Sequence, residues 1–342
     1  MHRRSFVTTA LRSGYASVLA TTARVSLPGA ALLACRSGYT EAPAGARAKA
    51  IGPLDPPAFH RTRLYVDTRF GRVAYVERGA GPGALFLHGF PLNGYQWRGA
   101  LERLAPYRRC LAPDFLGLGY TEATPDQDVA PATQAAMLLE FLDGLGVHAV
   151  DVVANDSGLT VAQLLAVRAP GRVRSLLLTN GDVEANSPPP ALAPILAQAR
   201  DGVLADRFLV PQLAEPDLAR APQGLGGLAY TWPASLTDES VRCYFAPLVA
   251  TPARKLLFHR YALAFEPNPL PAITAALRRC PIPARMVWGT GDPLFPIHWA
   301  DWLDRTLPNS RGVRRVEGAN LFFPEEMPEL IAEEARRLWQ AD

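Results

Sequence analysis

The stretch VVANDSGLTVAQ joins an apolar run to a helix-like run and places a carboxylate where a reactive side chain would be exposed. Small residues two positions before and after a nucleophile permit the sharp strand-to-helix turn that presents it. Ala154 and Gly158 form such a pair around Asp156. Centring the turn on Ser157 would instead place the bulky Leu159 at a flank. The spacing therefore predicts Asp156 as a nucleophile, because an aspartate that only caps the next helix would leave the glycine and the preceding strand unexplained.

An aspartate nucleophile suits attack on an sp³ carbon. The carboxylate forms an alkyl-enzyme ester and so divides one displacement into two easier steps. Water must then hydrolyse the ester, and that step ordinarily requires a general base. Asp182, which ends the run LLLTNGD, is a second carboxylate at the carboxyl end of a predicted strand.

Two parts of the chain, residues 62–183 and 278–342, alternate short apolar runs with helical patterns. The runs RLYVDTRFG and RVAYVERG predict a hairpin, and ALFLHG and AVDVVAND predict buried strands. The alternation predicts an α/β fold with a doubly wound, mainly parallel sheet covered on both faces. Residues 184–277 break the pattern and predict an inserted helical cap over the carboxyl ends of the strands, where ligands bind in such sheets.

Residues 1–40 differ from the rest of the chain and predict export. They contain no acidic residue, carry a pair of arginines at Arg3 and Arg4, and approach Cys35 through SLPGAALLAC. These features are similar to a twin-arginine export signal with a lipidation site, which implies a periplasmic or membrane-anchored protein held through Cys35. An Arg-rich, acid-poor start also suits a transit peptide or a disordered arm, so a cytoplasmic protein is the alternative. Residues 41–60 are expected to form a linker.

Composition excludes several classes of partner. A net charge of +3 without a Lys/Arg-rich block gives no case for nucleic acid. No apolar run reaches the roughly eighteen residues of a transmembrane helix. The four cysteines are scattered and lack the spacing of metal ligands, so neither a metal nor another cofactor is expected. The expected partner is a small-molecule substrate.

Taken in order, these motifs resemble the α/β-hydrolase family, in its aspartate-nucleophile branch of epoxide hydrolases and haloalkane dehalogenases. The resemblance runs from about residue 62 to the C-terminus, and the insert matches only as a cap. HGFP followed by YQWR is similar to the oxyanion-hole segment, which implies backbone N–H donors at Phe90 and Ser157. VWGTGDPLFP is similar to the segment that supplies the catalytic acid, which implies Asp292. By the same resemblance, Asp182 is the alternative acid or a stand-in base.

One motif departs from this family. Aligning GANLFFPEEMPE with the usual Gly-x-Gly-His-Phe run places Asn320 on a glycine and Leu321 on the catalytic histidine. Leucine neither accepts a proton nor positions water. His298, six residues after Asp292, is the candidate replacement base, and His259 in the predicted cap is a second candidate. The remaining histidines are interpreted as structural or lie away from the predicted catalytic edge: His2, His60, His88 and His148.

Substrate signals point toward epoxides more than halides. Dehalogenases of this family usually bind halide with a Trp directly after the nucleophile and a polar or indole donor after His-Gly. This chain has Ser157 and Phe90 in those places, and its HGFP is closer to epoxide hydrolases and fluoroacetate dehalogenases. Trp232 is a further candidate for lining the pocket. Epoxide opening needs phenolic donors from the cap, and three tyrosines are candidates: Tyr230, Tyr244 and Tyr261.

The sequence therefore supports a hydrolase that acts on a small apolar electrophile, an epoxide or a haloalkane, through an ester on Asp156. Three alternatives stay open. The chain could be a ligand-binding protein that lost hydrolysis, or a lyase or isomerase that uses Asp156 as a base. A serine esterase using Ser157 is disfavoured by the elbow spacing and by Leu321.

Overall fold

Eight strands form a single sheet in the computed structural model, which describes residues 55–340. The order across the sheet is β1-β2-β4-β3-β5-β6-β7-β8; the pairs β1–β2 and β2–β4 are antiparallel, and the others are parallel. The predicted doubly wound sheet is thus confirmed. The strand bounds are β1 Leu64–Thr68, β2 Gly71–Arg78, β3 Gly83–Leu87, β4 Arg109–Pro113, β5 Val150–Asp156, β6 Val173–Gly181, β7 Ala284–Gly289 and β8 Ser310–Val316.

The middle of the sheet is buried on both faces. Every residue of β3 and β5 is buried, as the continuous apolar runs ALFL and VVA predict for parallel strands covered on two sides. The hairpin β1–β2 is also confirmed, with Leu64 opposite Tyr75 and Thr68 opposite Gly71. Because β3, β5, β6, β7 and β8 are parallel, the segments that follow them start at one edge of the sheet.

Helices lie in two groups. Those outside the insert are α1 Pro56–Arg61, α2 Arg98–Leu104, α3 Pro131–Gly144, α4 Gly158–Arg168, α12 His298–Thr306, α13 Phe323–Glu326 and α14 Pro328–Trp339. The helical insert, residues 184–277 between β6 and β7, contains α5 Ala193–Arg200, α6 Val210–Ala214, α7 Pro216–Arg220, α8 Leu225–Ala229, α9 Asp238–Val249, α10 Pro252–Leu263 and α11 Leu270–Leu277.

One expected boundary is corrected. The linker predicted to reach residue 60 ends earlier, because α1 forms where Asp55 accepts a hydrogen bond from the Ala58 N–H at 2.6 Å. Phe59 on α1 is buried with its ring edge-on to Tyr95. The C-terminal segment forms two helices, α13 and α14, since Pro328 begins a new helix at a first-turn position.

Several expectations fall outside the described residues: the export leader, its arginine pair, Cys35 and most of the linker. Between residues 55 and 340 no helix has the length and apolar character needed to cross a membrane. The same range contains no cluster of three metal-ligating side chains. Its three cysteines are buried free thiols: Cys110, Cys243 and Cys280.

Candidate active site

The strand-to-helix turn after β5 has the geometry of a nucleophile elbow. Asp156 has φ 54°, a left-handed conformation that is rare for a residue other than glycine, whereas Ser157 already has helical angles. A Cβ on Gly158 would lie 2.7 Å from the Leu87 carbonyl oxygen. The tight turn therefore requires a small residue at position 158 and presents the Asp156 side chain at the edge of the sheet.

Backbone donors surround the Asp156 carboxylate. The Phe90 N–H donates to Asp156 Oδ2 at 2.6 Å. Burial raises the pKa of Asp156 to about 7; hydrogen bonds from the Phe90 and Ser157 N–H groups oppose that rise, and the charge of Asp292 adds to it. The two N–H groups predicted as oxyanion donors thus both act on the Asp156 carboxylate.

The HGFP turn lies in close contact with Asp156. A Cβ on Gly89 would lie 2.7 Å from the Asp156 side chain, so glycine allows this close approach. His88 is fully buried; its Nε2 accepts from the Phe115 N–H at 3.0 Å, so its Nδ1–H donates to the Gly89 carbonyl at 2.9 Å. Burial lowers the pKa of His88, which fits this neutral structural role.

Asp182 directly follows β6 and lines the same cavity as Asp156. Its Oδ2 accepts from the Thr160 hydroxyl at 3.2 Å, and its backbone N–H lies 3.3 Å from the Asp156 carbonyl oxygen. Burial raises the pKa of Asp182 well above its ordinary value, and the neighbouring charge of Asp156 raises it further. The cavity therefore holds two carboxyl groups that disfavour simultaneous ionisation.

Asp292, the acid implied by resemblance, lies beyond the end of β7 and is buried but does not line the cavity. Its Oδ1 accepts from the N–H groups of Leu294 and Phe295, at 2.8 and 3.2 Å. Its Oδ2 accepts from the Asn180 amide at 2.8 Å. Burial raises the pKa of Asp292. Backbone and amide donors thus occupy the oxygens with which it would orient a histidine.

A cavity of about 100 Å³ opens in front of the Asp156 carboxylate. Its polar members are Asp156, Ser157, Asp182 and Tyr261. Its apolar members include six residues of the helical insert: Pro188, Leu192, Leu196, Phe208, Leu225 and Phe265. Leu321 also lines it, and no residue that lines it within the described range 55–340 is a histidine.

The structure does not bring the two candidate replacement bases to the cavity. His298 is exposed at the start of α12, with its ring 4.9 Å from that of Trp299. His259 is buried in the insert, where its Nε2 accepts from the Ala205 N–H at 3.0 Å. Burial lowers the pKa of His259. The prediction of His298 as a replacement base is wrong for this structure. It relied on the short distance to Asp292 along the chain, whereas α12 turns the His298 side chain toward solvent.

Of the four aromatic residues predicted to line the pocket, only Tyr261 does so. Its hydroxyl lies 3.1 Å from Ser157 Oγ, and its ring stacks on Phe90. The Tyr230 hydroxyl instead donates to Glu325 at 2.7 Å, and Tyr244 is buried beside Tyr95. The fourth, Trp232, is 53% exposed. Among the tyrosines of residues 55–340, Tyr261 alone lines the cavity and can present a phenolic O–H to a ligand there.

The segment around Leu321 is tied to the insert and to the sheet. Asn155 donates its amide to the Leu321 carbonyl at 3.1 Å, and the Phe322 N–H donates to Ala229 at 2.8 Å. Glu326 accepts from the Thr231 and Trp232 N–H groups, at 2.9 and 2.8 Å. Leu321 thus stands at a well-anchored position in the cavity wall.

The sequence reasoning missed an amide network behind the site. Gln96 donates to Asn155 at 2.6 Å, and Asn155 also donates to Thr179 Oγ1 at 2.9 Å. Asn180 joins Asp292 to β7 by accepting from the Gly289 N–H at 2.6 Å. Both Asn155 and Asn180 are polar residues at the end of an apolar strand, and this pattern could have predicted that they lie near the site.

Comparison with known proteins supports the observed fold. The sequence profile described as alpha/beta hydrolase fold matches residues 85–326. The solved structure of an alpha/beta hydrolase fold protein from Burkholderia ambifaria superposes with a TM-score of 0.67 at 25% identity, covering 79% of this chain and 96% of that one.

Two curated relatives carry more specific names. A haloalkane dehalogenase of Mesorhizobium japonicum is 39% identical over 125 residues, 36% of this chain and 40% of that protein. Epoxide hydrolase 2 of Siraitia grosvenorii is 32% identical over 196 residues, 57% of this chain and 58% of that protein. The matches thus span less than two thirds of either relative.

Proposed function

The chain belongs to the α/β-hydrolase fold family, and we propose that it is a hydrolase of a small apolar electrophile, an epoxide or a haloalkane, acting through an ester on Asp156. The names of its relatives, haloalkane dehalogenase and epoxide hydrolase, support this class of reaction. The observation that carries the proposal is the Asp156 carboxylate, held in a left-handed turn and facing an apolar cavity.

In the first step Asp156 Oδ1 attacks the substrate carbon. Oδ2 is held by the Phe90 N–H, so Oδ1 is the oxygen available for attack. The new C–O bond forms as the bond to the leaving group breaks, and the electron pair departs with a halide or with the epoxide oxygen. A cavity of about 100 Å³ limits the substrate to a small molecule.

In the second step water attacks the carbonyl carbon of the Asp156 ester. Oδ2 becomes the oxyanion, and it already receives the Phe90 N–H at 2.6 Å. The Ser157 N–H supplies the second donor. Donors placed before charge develops lower the barrier to such a step. The tetrahedral intermediate then collapses, releasing the alcohol and restoring the carboxylate.

Intact-mass spectrometry tests the nucleophile. Brief incubation with 1,2-epoxybutane or 1-bromobutane should add the corresponding group to the protein, and peptide mapping should locate it on Asp156. Asp156→Asn should remove both adduct and turnover. Glu184→Gln, which changes a carboxylate outside the cavity, is the matched control. Turnover that survives in Asp156→Asn would disprove the proposal.

The cavity also supports a second function, binding of a small apolar ligand without hydrolysis. The observation in its favour is Leu321, an apolar side chain in a cavity wall that contains no histidine in the described range. A ligand that binds only the folded state raises the melting temperature by mass action. A rise in melting temperature with no adduct and no product from either compound class would select this function.

A further inference from the structure

Two carboxyl groups face one apolar cavity from neighbouring strands. Asp156 ends β5, Asp182 follows β6, and the two strands pair in parallel up to the Asp156–Gly181 register. The Asp182 N–H lies 3.3 Å from the Asp156 carbonyl oxygen, so a short backbone connection fixes one residue against the other. Asp182 is 4% exposed and has no ion-pair partner among the described residues.

A buried carboxyl group without a cation is costly to ionise, and two such groups together are costlier. The Thr160 hydroxyl, 3.2 Å from Asp182 Oδ2, is neutral and offsets only part of that cost. Asp156 receives stronger backbone donation, from Phe90 at 2.6 Å. The favoured state of the pair therefore has Asp156 ionised and the proton on Asp182.

We propose that Asp182 is the acid–base partner of Asp156, first protonating the leaving oxygen of an epoxide and then accepting a proton from the water that hydrolyses the ester. This inference rests on the proposed function of Asp156. It assigns to Asp182 the acid–base role that the catalytic histidine would have at position 321, and it selects epoxides as the substrate class.

Both steps balance with this pair alone. As Asp156 Oδ1 bonds to the epoxide carbon, the ring C–O bond breaks and its oxygen takes the Asp182 proton, leaving a hydroxyl ester and an Asp182 carboxylate. Asp182 then removes a proton from water as the hydroxide oxygen bonds to the ester carbonyl carbon. Collapse expels the diol oxygen, which takes the remaining proton of the attacking water as the Asp156 carboxylate re-forms. One epoxide and one water yield one diol, and the pair regains its starting charge.

Ester formation itself prepares Asp182 for the second step. Burial raises the pKa of Asp182 and the charge of Asp156 raises it further; esterification removes that charge, which makes the Asp182 carboxylate less costly to hold. The same carboxyl group is thus an acid beside the free nucleophile and a base beside the ester. A two-carboxyl site of this kind divides nucleophilic and acid–base roles between two side chains.

Other titratable groups near Asp156 fit the role less well. Asp292 does not line the cavity, and its oxygens accept from Leu294, Phe295 and Asn180. Burial raises the pKa of the Tyr261 phenol, so it stays neutral and can donate a hydrogen bond but cannot accept the proton of the attacking water as a phenolate would. Asp182 combines a carboxylate with direct access to the cavity.

The leaving group determines which substrates need Asp182 as an acid in the first step. An epoxide oxygen leaves as an alkoxide unless an acid protonates it, whereas a bromide ion leaves without a proton. The first step should therefore depend on Asp182 for 1,2-epoxybutane and be independent of it for 1-bromobutane. The second step should depend on Asp182 for both compounds.

The experiment uses the full-length chain and Asp182→Asn. With 1,2-epoxybutane the variant should lose about 10²- to 10⁴-fold in kcat, the usual contribution of general acid–base catalysis. With 1-bromobutane it should form the Asp156 ester as fast as the unmodified protein and then accumulate it. Glu184→Gln, two residues along the same loop and outside the cavity, should behave like the unmodified protein in both assays.

The outcomes separate the two levels of the proposal. If Asp182→Asn hydrolyses the ester at the original rate, the role of Asp182 is wrong while the nucleophile stands. If the unmodified protein forms no adduct and no product with either compound, both proposals fail. Should Asp182→Asn not fold, Thr160→Val removes the hydroxyl that orients Asp182 and should slow ester hydrolysis several-fold; an unchanged rate would overturn the inference.

Discussion

The Asp156 side chain combines two opposing influences. Burial in an apolar cavity penalises its charged form, whereas the Phe90 and Ser157 N–H groups stabilise it. The result is a carboxyl group with a pKa of about 7, so its ionisation changes near neutral pH. A nucleophile must be ionised to attack, so its reactivity should follow this equilibrium.

Ester formation should therefore increase with pH. Using 1-bromobutane, which needs no acid for its leaving group, the single-turnover rate should rise through a midpoint near the Asp156 pKa of about 7. The rate is low at acidic pH because the carboxyl is protonated there, and it reaches a plateau in alkaline solution. Rapid-quench intact-mass spectrometry measures it. A midpoint near the ordinary aspartate pKa of 3.8 would contradict the prediction.

His298 provides a test at a single exposed residue. Its side chain points toward solvent, and it does not line the cavity. His298→Ala should leave kcat and KM for 1,2-epoxybutane within about twofold of the original values, as expected for a surface substitution away from the site. A loss comparable to that of Asp182→Asn would show that this histidine reaches the site in solution.

At the scale of elements, the site depends on close backbone contact between β5 and β6. Gly181 faces Asp156 across the strand pair, and a Cβ there would lie 2.4 Å from the Asp156 carbonyl oxygen. No ordinary Cβ approaches an oxygen so closely, so the backbone must move if one is added. The displaced atoms belong to the residue whose side chain carries the proposed chemistry.

Gly181→Ala should accordingly lower both stability and ester formation. Overpacking at a close contact costs about 1–3 kcal/mol, and displacement of Asp156 should reduce the adduct rate at least tenfold. Urea unfolding and intact-mass spectrometry measure the two effects. Gly171→Ala is the matched control, since a Cβ at Gly171 meets no atom within 4 Å. Equal behaviour of the two variants would contradict this account of the elbow.

The segment 318–326 shows how the insert and the sheet are joined. Its backbone and side chains bond to residues of the insert through Asn320, Phe322, Glu325 and Glu326. Glu325 also pairs with Arg98 at 2.6 Å, which links the insert to α2. This anchoring explains why Leu321 occupies a defined place in the cavity wall.

At the scale of the whole molecule, three buried carboxyl groups set an unusual relation between pH and stability. Burial raises the pKa values of Asp156, Asp182 and Asp292 above the ordinary value of 3.8. A group with a raised pKa in the folded state holds its proton more tightly there than in the unfolded chain. Its stabilising contribution is complete below the unfolded pKa and is lost as pH rises through the folded pKa.

The difference in free energy of unfolding between the unmodified protein and Asp156→Asn should change with pH for this reason. From pH 3.8 to about 7 the unmodified protein should lose free energy of unfolding relative to the variant, which has no proton to release at that position. Urea unfolding across this range, with Glu184→Gln as reference, measures the difference. A pH-independent difference would show that Asp156 keeps its ordinary pKa in the folded protein.

Local patterns were sufficient to predict much of the molecule. Apolar runs and helical spacing predicted the parallel sheet and its helices, because burial on two faces demands such runs. Small residues around Asp156 predicted the elbow, because the turn leaves no space for larger ones. The three aspartates were identified at strand ends, where topology alone brings the following segments to one edge.

Contacts between distant segments were decided only by tertiary structure. Tyr230 and Tyr261 are equivalent candidates in the sequence, yet packing directs one hydroxyl to Glu325 and places the other in the cavity. His298 lies close to Asp292 along the chain but faces solvent, whereas Asp182, with twenty-five residues between it and Asp156, shares its cavity. Side-chain direction depends on how helices and strands pack against each other, and no local pattern contains that information.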